Sequence, residues 1–443
     1  MNKKLSGKKI LLALLIIPCL NLPAAEKYTL QEAFARALLR APQFQLKLLD
    51  EEAAQHRKTE ALKRKRFVVD LEASFHTASD RVEVSMDSLR LPVDFLPGGK
   101  TILLAMPDNF YDFKLVLKQP LYSGGVLNRA VQLAEIEQEI RRELTLNEQL
   151  ELAGRLKTSY YTCLMLQQSR ISLQRLMDSL RLHLERVAAL RREELLRESD
   201  LLETRIRLSE LELRKLELES LLASEEAVFS SICGLEFATI EQSTPETDLT
   251  FSQALEKLQG EHPLSKAFDS RLRAQAVLRG LAAAKALPRL AAFAELHLAR
   301  PGRNFFRDEW LLYAQFGLGL QMPVFNWGRT AAEISLADIE AEKTSQLSRE
   351  FFSEAEKALR RLFAHKQGIE SKLLVFSSLQ ADAAAEVGLK KALYEEGQLD
   401  HRSYLAALLS QEHYHSRGEE NRIQLEIVKA QILVLAGQSL EEK

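Results

Sequence analysis

The stretch Pro120-Leu121-Tyr122-Ser123-Gly124-Gly125 returns later in the chain as Pro323-Val324-Phe325-Asn326-Trp327-Gly328. This spacing of 203 residues persists without insertion or deletion to the pair Gly234 and Gly437. An earlier stretch repeats at a spacing of 221, where Thr29, Ala33, Pro42 and Val69 align with Thr250, Ala254, Pro263 and Leu290. The matches indicate a tandem duplication, and the difference between 221 and 203 places 18 extra residues in repeat 1, between Val69 and Pro120.

The repeats divide the 443-residue chain into parts. We assign residues 1–25 to a signal peptide, 26–234 to repeat 1, 235–249 to a linker, 250–437 to repeat 2 and 438–443 to a C-terminal tail. Each repeat is predicted to open with short helices and to end in a long helical hairpin, at residues 126–233 and 329–436. Four β-strands are predicted at about residues 67–85, 109–119, 289–299 and 310–322.

The first 25 residues have the parts of a secretory signal. Four lysines precede an apolar run at residues 10–17, and Ala24-Ala25 offers a small-residue cleavage site. An uncleaved membrane anchor is one alternative, but the run is shorter than the roughly 20 residues of a spanning helix. Lipid attachment at Cys19 is another alternative, although Pro18 stands where a small residue should precede the cysteine.

The composition favours long helices and gives no sign of nucleic-acid binding. Glycine, proline and tryptophan number only 18, 12 and 2, whereas leucine, alanine and charged residues dominate. Removal of the signal peptide with its four lysines changes the formal net charge from −2 to −6. The two cysteines that remain, Cys163 and Cys233, lie 70 residues apart in helical patterns, so no disulfide framework is expected.

Four segments alternate apolar and polar residues, as a strand with one apolar face does. Odd-numbered positions are apolar at residues 69–75 and 113–117, and even-numbered positions are apolar at 292–298 and 312–320. An exported chain can span a membrane with such strands, whose sequence trace is weaker than that of a helix. A soluble sheet packed on helices would alternate in the same way. The exported context favours the membrane.

The loops inside the two strand pairs differ in length, whereas the segments that follow do not. The 18 extra residues are expected in the loop at about 85–109, whose counterpart lies at about 300–309. After each strand pair the Pro-to-Gly stretch predicts a junction from strand to helix, since proline cannot donate to a sheet, serine and asparagine cap helices, and glycine permits unusual backbone angles. The junction residues are Pro120, Ser123, Gly124, Gly125, Pro323, Asn326 and Gly328.

A helical pattern of about 65 residues, or about 98 Å, follows each junction to breaks at residues 190–200 and 394–402. Four transmembrane strands cannot close a barrel, because about eight is the observed minimum and an open edge leaves backbone groups unsatisfied in lipid. Several copies of the chain are therefore expected to share one barrel.

The chain resembles the TolC-like outer membrane efflux proteins, also called outer membrane factors. The resemblance rests on the doubled junctions at residues 119–125 and 322–329, on Tyr-Thr-Leu-Gln-Glu-Ala at 28–33 and on Leu-Pro-Arg-Leu at 287–290. It covers essentially the whole mature chain. Equal hairpin lengths would give such an assembly a tunnel with a level end.

The resemblance implies a mainly α fold with a membrane β-barrel part. Three copies would each give four strands to a shared twelve-stranded barrel in the outer membrane of a Gram-negative-type cell, and long helices to a coiled-coil barrel in the periplasm. Such a homotrimer would be the passive exit duct of a tripartite efflux pump or a type I secretion system. It would open on docking of a periplasmic adaptor protein and an inner-membrane pump, either proton-driven or of the ABC class. The resemblance leaves the transported substrate and the pump class open.

The breaks in the helices are expected at the hairpin tips, where family members meet the adaptor. The family often has a Gly turn followed by Asp-x-Leu; repeat 2 has Gly397 where repeat 1 has Glu194, and repeat 1 has Asp200 where repeat 2 has Ser403. The candidate docking and tip residues are Arg192, Glu193, Glu194, Glu198, Asp200, Leu201, Tyr394, Glu395, Glu396, Gly397, Leu399, Asp400 and Arg402. A solvated pair of helix turns would carry similar charges.

No catalytic, cofactor or metal site is predicted. His401, His413 and His415 lie near one tip, but residues two apart on a helix point to different faces, and no acidic or cysteine partner completes a site. The alternative to a channel is a periplasmic coiled-coil adaptor or scaffold that never enters a membrane. That alternative predicts extraction as a soluble protein.

Overall fold

The computed structural model describes residues 27–79, 83–84, 104–105, 107–194, 197–241, 247–304 and 306–438. The predicted signal peptide, Cys19, most of the loop at 85–109 and nearly all of the tail lie outside these ranges. The described chain is mostly helical and contains one four-stranded antiparallel sheet. The predicted fold class, mainly α with four long strands, is confirmed.

The described residues form eight α-helices. They are α1 (Leu30–Arg40), α2 (Pro42–Lys63), α3 (Val126–Arg192), α4 (Glu198–Cys233), α5 (Phe251–Gly260), α6 (Pro263–Ala284), α7 (Arg329–Glu395) and α8 (His401–Leu435). A short 3₁₀ turn, Phe237–Thr239, follows α4. Because α1 to α4 match α5 to α8 in order and nearly in length, the duplication in the sequence is visible in the fold.

The first helix of each repeat begins with a capping box. Thr29 N donates to Glu32 Oε2 at 2.8 Å, and Glu32 N donates to Thr29 Oγ1 at 3.2 Å. In repeat 2, Thr250 N donates to Gln253 Oε1 at 3.0 Å, and Gln253 N donates to Thr250 Oγ1 at 3.4 Å. Both boxes satisfy backbone N–H groups that have no partner inside the helix.

The helices α3 and α7 are each 67 residues long, about 100 Å. The first half of α3 packs on α2 and α6, where Thr145 Oγ1 donates to the carbonyl of Lys47 and Arg273 lies 2.6 Å from Glu139. Its second half packs on α4 and α8. We call α3 with α4 hairpin 1, and α7 with α8 hairpin 2.

The apolar core lies where the short helices meet the hairpins. One cluster joins α1 to α3, α4 and α8 around Phe34, Tyr160 and Phe229. A second cluster joins α5 to α7 and α8 around Leu258 and Leu359. Both cysteines are buried in the first cluster, and burial raises the pKa of the Cys163 thiol to about 12, so neither thiol is poised for reaction.

The long strands are β1 (Val68–Thr77), β4 (Asn109–Tyr122), β5 (Arg289–Arg300) and β6 (Leu311–Gln321), and they form one sheet in the order β1-β4-β5-β6. A separate short pair is formed by β2 (Glu83–Val84) and β3 (Leu104–Ala105). None of the helices in the described ranges is long and apolar enough to cross a bilayer.

Two predicted strand ends are wrong. β1 ends at Thr77 and not near residue 85, because the ladder with β4 ends where Thr77 pairs with Asn109, the first residue of β4. β4 does not stop before Pro120 but runs to Tyr122. The proline is tolerated because the pairing with β5 shifts register between Pro120 and Tyr122.

Candidate functional site: the sheet and the hairpin tip

One face of the sheet is apolar across all four strands. The register places Leu71, Leu115, Leu296 and Ala314 in one row, and Ala73, Phe113, Leu298 and Leu312 in the next. Paired residues of antiparallel strands lie on the same side of a sheet, so the alternation seen in the sequence collects on one side, which we call the apolar face. In the single chain this face is exposed, with Phe316 at 81%.

Aromatic side chains gather at one end of the apolar face. The rings of Phe75 and Tyr111 lie 4.9 Å apart, and Trp310 lies 5.8 Å from Tyr111 and 6.2 Å from Phe113. Trp310 stands just before β6, and the alternation did not point to it. Aromatic girdles at the boundary between lipid and water are a feature of membrane β-barrels.

The opposite face of the sheet carries paired charges. Lys114 Nζ lies 2.8 Å from Glu72 Oε2. His297 lies between two carboxylates, with Nδ1 3.0 Å from Asp112 Oδ1 and Nε2 3.2 Å from Glu295 Oε2. Such a face is suited to water and not to lipid. We call it the polar face.

Left-handed glycines make both junctions between strand and helix. Gly125 and Gly328 are the N-cap residues of α3 and α7, with φ of 85° and 75°. The expectation that Ser123 and Asn326 cap these helices is wrong in position, because each lies two residues before the N-cap. Ser123 Oγ still accepts the N–H of Leu127 at 3.3 Å.

The junction of repeat 1 is pressed against repeat 2. A Cβ atom at Gly124 would lie 2.7 Å from the Cβ of Leu287, at the corner between α6 and β5. Trp327 occupies the equivalent position in repeat 2, with φ of 53°, and is 89% exposed. The second junction therefore lacks, within the described chain, the neighbour that the first one has.

The two hairpin tips have closely similar turns. α3 ends at Arg192 and α4 begins at Glu198, whereas α7 ends at Glu395 and α8 begins at His401. In the middle of the turns, Glu194 and Gly397 both adopt the left-handed conformation, with φ of 63° and 75°. The tip of repeat 1 therefore has a glycine-type turn without a glycine.

Each tip caps the following helix with one carboxylate, but from a different position. Asp400 is the N-cap of α8 and accepts the N–H of Ser403 at 3.2 Å. In repeat 1 the N-cap is Arg197, whose own N–H donates to Asp200 at 3.3 Å. The Asp that repeat 2 lacks at the place of Asp200 is thus replaced by Asp400, a carboxylate at the other end of the same four-residue unit.

Two ion pairs join the hairpins at the tip. Arg186 of α3 lies 2.9 Å from Glu395 at the end of α7. Arg402 of α8 lies 2.9 Å from Glu203 of α4. Because the side chains are partly exposed, each pair stabilises the contact by only about 0–1 kcal/mol.

A buried chain of hydrogen bonds also links the hairpins. His183 Nε2 of α3 lies 3.0 Å from His401 Nδ1 of α8, and His401 Nε2 lies 2.9 Å from Thr204 Oγ1 of α4. Thr204 Oγ1 donates to the carbonyl of Asp200 at 2.9 Å. Burial, helped by His401 and Arg186, lowers the pKa of His183 to about 4.

Comparison with known proteins tests the resemblance. No family model matches the sequence, and no curated protein matches it significantly. Among solved structures, a membrane protein from Pseudomonas aeruginosa is 17% identical with a TM-score of 0.75, and the match covers 97% of this chain and 98% of that one. The outer membrane protein VceC from Vibrio cholerae is 14% identical with a TM-score of 0.73, covering 93% of this chain and 97% of that one.

A third solved structure is the open state of the MtrE outer membrane channel of Neisseria gonorrhoeae. It is 13% identical to this chain with a TM-score of 0.73, and the match covers 93% of this chain and 89% of that one. The chain has the fold of the TolC-like outer membrane factors. The family resemblance drawn from the doubled junctions is therefore confirmed at the level of the fold.

In this outer membrane factor fold, the predicted tip residues lie in the two turns and in the helix ends beside them. Exposed side chains or backbone occur at Arg192, Glu193, Glu194, Glu198, Glu395, Glu396, Gly397, Asp400 and Arg402. Asp200 and Leu399 are half-buried, whereas Leu201 and Tyr394 are buried. A role for any of them in docking stays a prediction.

The sequence did not reveal the side chains that form the buried interior of the hairpin tip in this outer membrane factor fold. His183, Thr204 and Tyr404 were not singled out, since each lies on an amphipathic helix far from His401 in sequence. Tyr394 and Tyr404 stack with ring centroids 5.2 Å apart beside the two histidines. Among the described residues, no group of His, Cys, Asp and Glu is placed to hold a metal ion.

Proposed function

We propose that three copies of this chain form an outer-membrane channel that serves as the exit duct of a tripartite efflux pump or a type I secretion system. The observation that carries the proposal is the apolar face of the sheet, exposed on a sheet whose outer strands, β1 and β6, pair with no further described strand on their open edges. A wide apolar sheet face with free edges is a liability in water. Lipid on the apolar face and another copy at each edge remove both problems.

Strand closure requires copies of the chain. In lipid, every backbone N–H and C=O must be paired, so the free edge of β6 has to meet the β1 of a neighbour. One copy gives four strands, fewer than the eight or so of the smallest membrane barrels. Three copies, the number that the TolC-like fold implies, give twelve strands. The polar face then lines the lumen, where its ion pairs contact water.

Two helices, α7 and α2, each have an apolar face that is exposed in the single chain, and we call these the open faces. Ile136 of α3 is buried against α6 together with Leu133. The equivalent residues of α7, Leu336 and Ile339, are 58% and 55% exposed. A face that is covered in repeat 1 and uncovered in repeat 2 indicates that the cover comes from the repeat 1 of a neighbouring copy.

The complementary open face lies on α2. On α6, Ala267 and Ser270 are buried, whereas their equivalents on α2, Leu46 and Leu49, are 61% and 59% exposed. The contact of α3 with α6 inside the chain thus has a counterpart in which α7 meets the α2 of the next copy. Such a head-to-tail contact closes into a ring when its rotation allows.

Nearer the tips, the hairpins have a corresponding pair of contacts, one inside the chain and one expected between copies. The contact of α3 with α8 inside the chain corresponds to a contact of α7 with the α4 of the next copy. One stripe of α4, containing Leu218 and Leu222, is buried, but a second stripe, with Leu213 and Leu216, is exposed. The second apolar flank of α4 is available for this neighbour.

The proposal assigns locations and partners to the parts. Residues 1–25 are removed on export, the sheet lies in the outer membrane and the hairpins extend about 100 Å into the periplasm. The exposed tip residues meet a periplasmic adaptor, through which an inner-membrane pump delivers the substrate. The chain acts as a passive conduit, and selection of the substrate lies with the pump.

Cell fractionation and native mass measurement test the proposal against the soluble scaffold. The proposal predicts that the mature chain sediments with outer membranes, needs detergent for extraction and has the mass of three copies within its detergent micelle. Recovery of the chain as a soluble periplasmic protein would favour the adaptor or scaffold and contradict the channel. A washed-membrane control with high salt distinguishes peripheral adsorption from insertion.

A further inference from the structure

One assignment of protons completes every hydrogen bond at the hairpin tip with both imidazoles neutral. When Thr204 Oγ1 donates its proton to the carbonyl of Asp200, it accepts from His401 Nε2–H. A neutral His401 with a proton on Nε2 has a lone pair on Nδ1. His183 Nε2–H then donates to that lone pair across 3.0 Å. The chain His183, His401, Thr204, which we call the latch, is complete when both imidazoles are neutral.

The latch connects the hairpins from inside the packed tip. His183 and Thr204 belong to hairpin 1, whereas His401 belongs to hairpin 2. The exposed fractions of His183, His401 and Thr204 are 6%, 3% and 0%. Because water does not reach these atoms, the hydrogen bonds have no ready substitute while the tip is closed.

An added proton breaks this arrangement. In this assignment, protonation of His401 fills Nδ1 and brings two N–H donors together at the 3.0 Å contact with His183. If His183 moves its own proton to Nδ1, the hydrogen bond is kept but a cation lies in the buried site. Protonation of His183 keeps the bond but places a cation in a buried site beside the Arg186 guanidinium. Burial also lowers the pKa of His401, in spite of the nearby carboxylates of Asp200, Glu203 and Asp400.

The groups that face the two imidazoles come from all four helices. They are Arg186 on α3, Asp200 and Glu203 on α4, Tyr394 and Glu395 on α7, and Asp400, Arg402 and Tyr404 on α8. The four carboxylates are already engaged: Glu395 by Arg186, Glu203 by Arg402, Asp400 by the N–H and hydroxyl of Ser403, and Asp200 by the N–H of Arg197. None of the surrounding groups titrates ordinarily between pH 7.5 and 5.5, which leaves the imidazoles as the responsive groups.

We propose that the latch is an acid-sensitive fastening that holds hairpin 1 to hairpin 2 at neutral pH and releases the tip when an imidazole is protonated. The proposal rests on the proposed function only in its consequence, which is that mild acid helps to open the periplasmic end of the duct. Each proton bound by the released state and not by the closed state changes their ratio by up to tenfold per pH unit. One such histidine predicts about a tenfold rise in the released fraction between pH 7.5 and 5.5.

The separation of the hairpins tests the latch without any channel activity. Nitroxide labels on Leu182→Cys of α3 and Leu389→Cys of α7, two positions that are 69% and 70% exposed, report this distance by pulsed electron paramagnetic resonance. The native cysteines are buried and do not compete for the label. Doubly labelled chains diluted into unlabelled ones should show one distance at pH 7.5 and a growing second, longer one at pH 5.5.

Three variants assign the response to the latch. The double variant His183→Gln, His401→Gln can donate and accept hydrogen bonds but cannot titrate, and we expect its distances to be the same at both pH values. His413→Gln changes an exposed histidine of the same helix and should keep the response of the unchanged chain. Thr204→Val removes the final acceptor without changing the shape, and should populate the longer distance already at pH 7.5.

Two results would overturn the latch. One is an unchanged distance in the parent chain between pH 7.5 and 5.5, and the other is a full response in the double glutamine variant. Planar-bilayer conductance of the same samples separates this proposal from the proposed function. Absence of conductance at every pH, with the distance change intact, would refute the channel and leave the latch in place. Conductance with no distance change would refute the latch and leave the channel in place.

Discussion

Glu194 adopts the same left-handed backbone conformation as Gly397, which lies 203 residues later in the chain, with φ of 63° against 75°. Left-handed backbone costs about 1 kcal/mol or more for a residue with a Cβ atom and almost nothing for glycine. The surrounding structure therefore imposes the turn of repeat 1. Both tips need the same turn because both connect a 67-residue helix to a shorter return helix.

The two turns predict opposite responses to substitution. Gly397→Ala should lower the free energy of unfolding by about 1 kcal/mol, because it introduces left-handed strain. Glu194→Gly should be neutral or slightly stabilising, because it removes that strain at some cost in unfolded-state entropy. Urea unfolding of the two variants beside the parent chain measures both changes. Equal effects of the two substitutions would contradict the equivalence of the turns.

The exposed charges of the tip can be tested for adaptor contact without disturbing the fold. Glu193 and Glu396 lie in the turns and are exposed, so Glu193→Lys with Glu396→Lys should reduce crosslinking to the adaptor at least tenfold, equivalent to about 1.4 kcal/mol. Glu350→Lys, an exposed position far up α7, is the matched control. Full crosslinking by the tip variant would remove these residues from the docking surface.

An arginine introduced on one face of β6 should have a very different effect from an arginine introduced on the other face. Phe316→Arg places a charge on the apolar face, where burial in lipid costs about 2–4 kcal/mol near the midplane. Gln315→Arg places it on the polar face, one residue away, and should be tolerated. The yield of outer-membrane trimers measures the difference. Similar yields for the two variants would mean that the apolar face does not meet lipid.

The open face of α7 predicts a loss of assembly without a loss of fold. Leu336→Ser with Ile339→Ser removes the residues proposed to meet the α2 of the next copy, so the trimer should dissociate at protein concentrations where the parent chain stays assembled. The equivalent pair on α3, Leu133→Ser with Ile136→Ser, lies inside the chain and should lower its own stability by a few kcal/mol. Native mass and thermal unfolding separate the two outcomes.

Burial of His262, which lies far from the tip, should make the folded chain less stable in acid. It is buried at the start of α6, its Nδ1 accepts the N–H of Leu264 at 3.1 Å, and burial lowers its pKa to about 4. Because the unfolded chain binds a proton near pH 6.5, the stabilisation is complete above that pH and is lost as the pH falls toward 4, by about 3 kcal/mol.

The check is His262→Asn, which keeps a helix-capping side chain but cannot titrate in this range. Urea unfolding at pH 7.5 and at pH 4 should show a smaller acid loss in this variant than in the parent chain. An equal loss in both proteins would mean that His262 does not titrate on unfolding.

The sheet was predictable because its signal is local. Phe113 and Leu115 alternate with the charged residues Asp112 and Lys114, and the 203-residue repeat carries the same parity to Phe316 and Leu318. The end of β1 was not predictable, since it depends on where Asn109 begins the partner strand and not on the residues of β1 itself. The end of β4 was not predictable from Pro120 either, because the pairing of β4 with β5 shifts register between Pro120 and Tyr122 and so accommodates the proline.

The tip was predictable in position but not in chemistry. The helix breaks and the charged residues are visible in the sequence, whereas the latch joins His183 to His401 across 218 residues through the packing of two helices. A lone histidine on an amphipathic helix gives no sign of such a partner. The swap of the capping carboxylate between Asp200 and Asp400 likewise becomes clear only when the N-cap residues are known.

Single-channel recording in planar bilayers tests whether the sheet is one third of a closed transmembrane barrel. Purified trimers of the mature chain should insert in discrete steps of uniform conductance, whereas an equal amount of the Phe316→Arg variant, which should not assemble in the membrane, should produce none. Bilayers that stay silent with intact, detergent-purified trimers of the parent chain at neutral and at acidic pH would contradict the closed barrel.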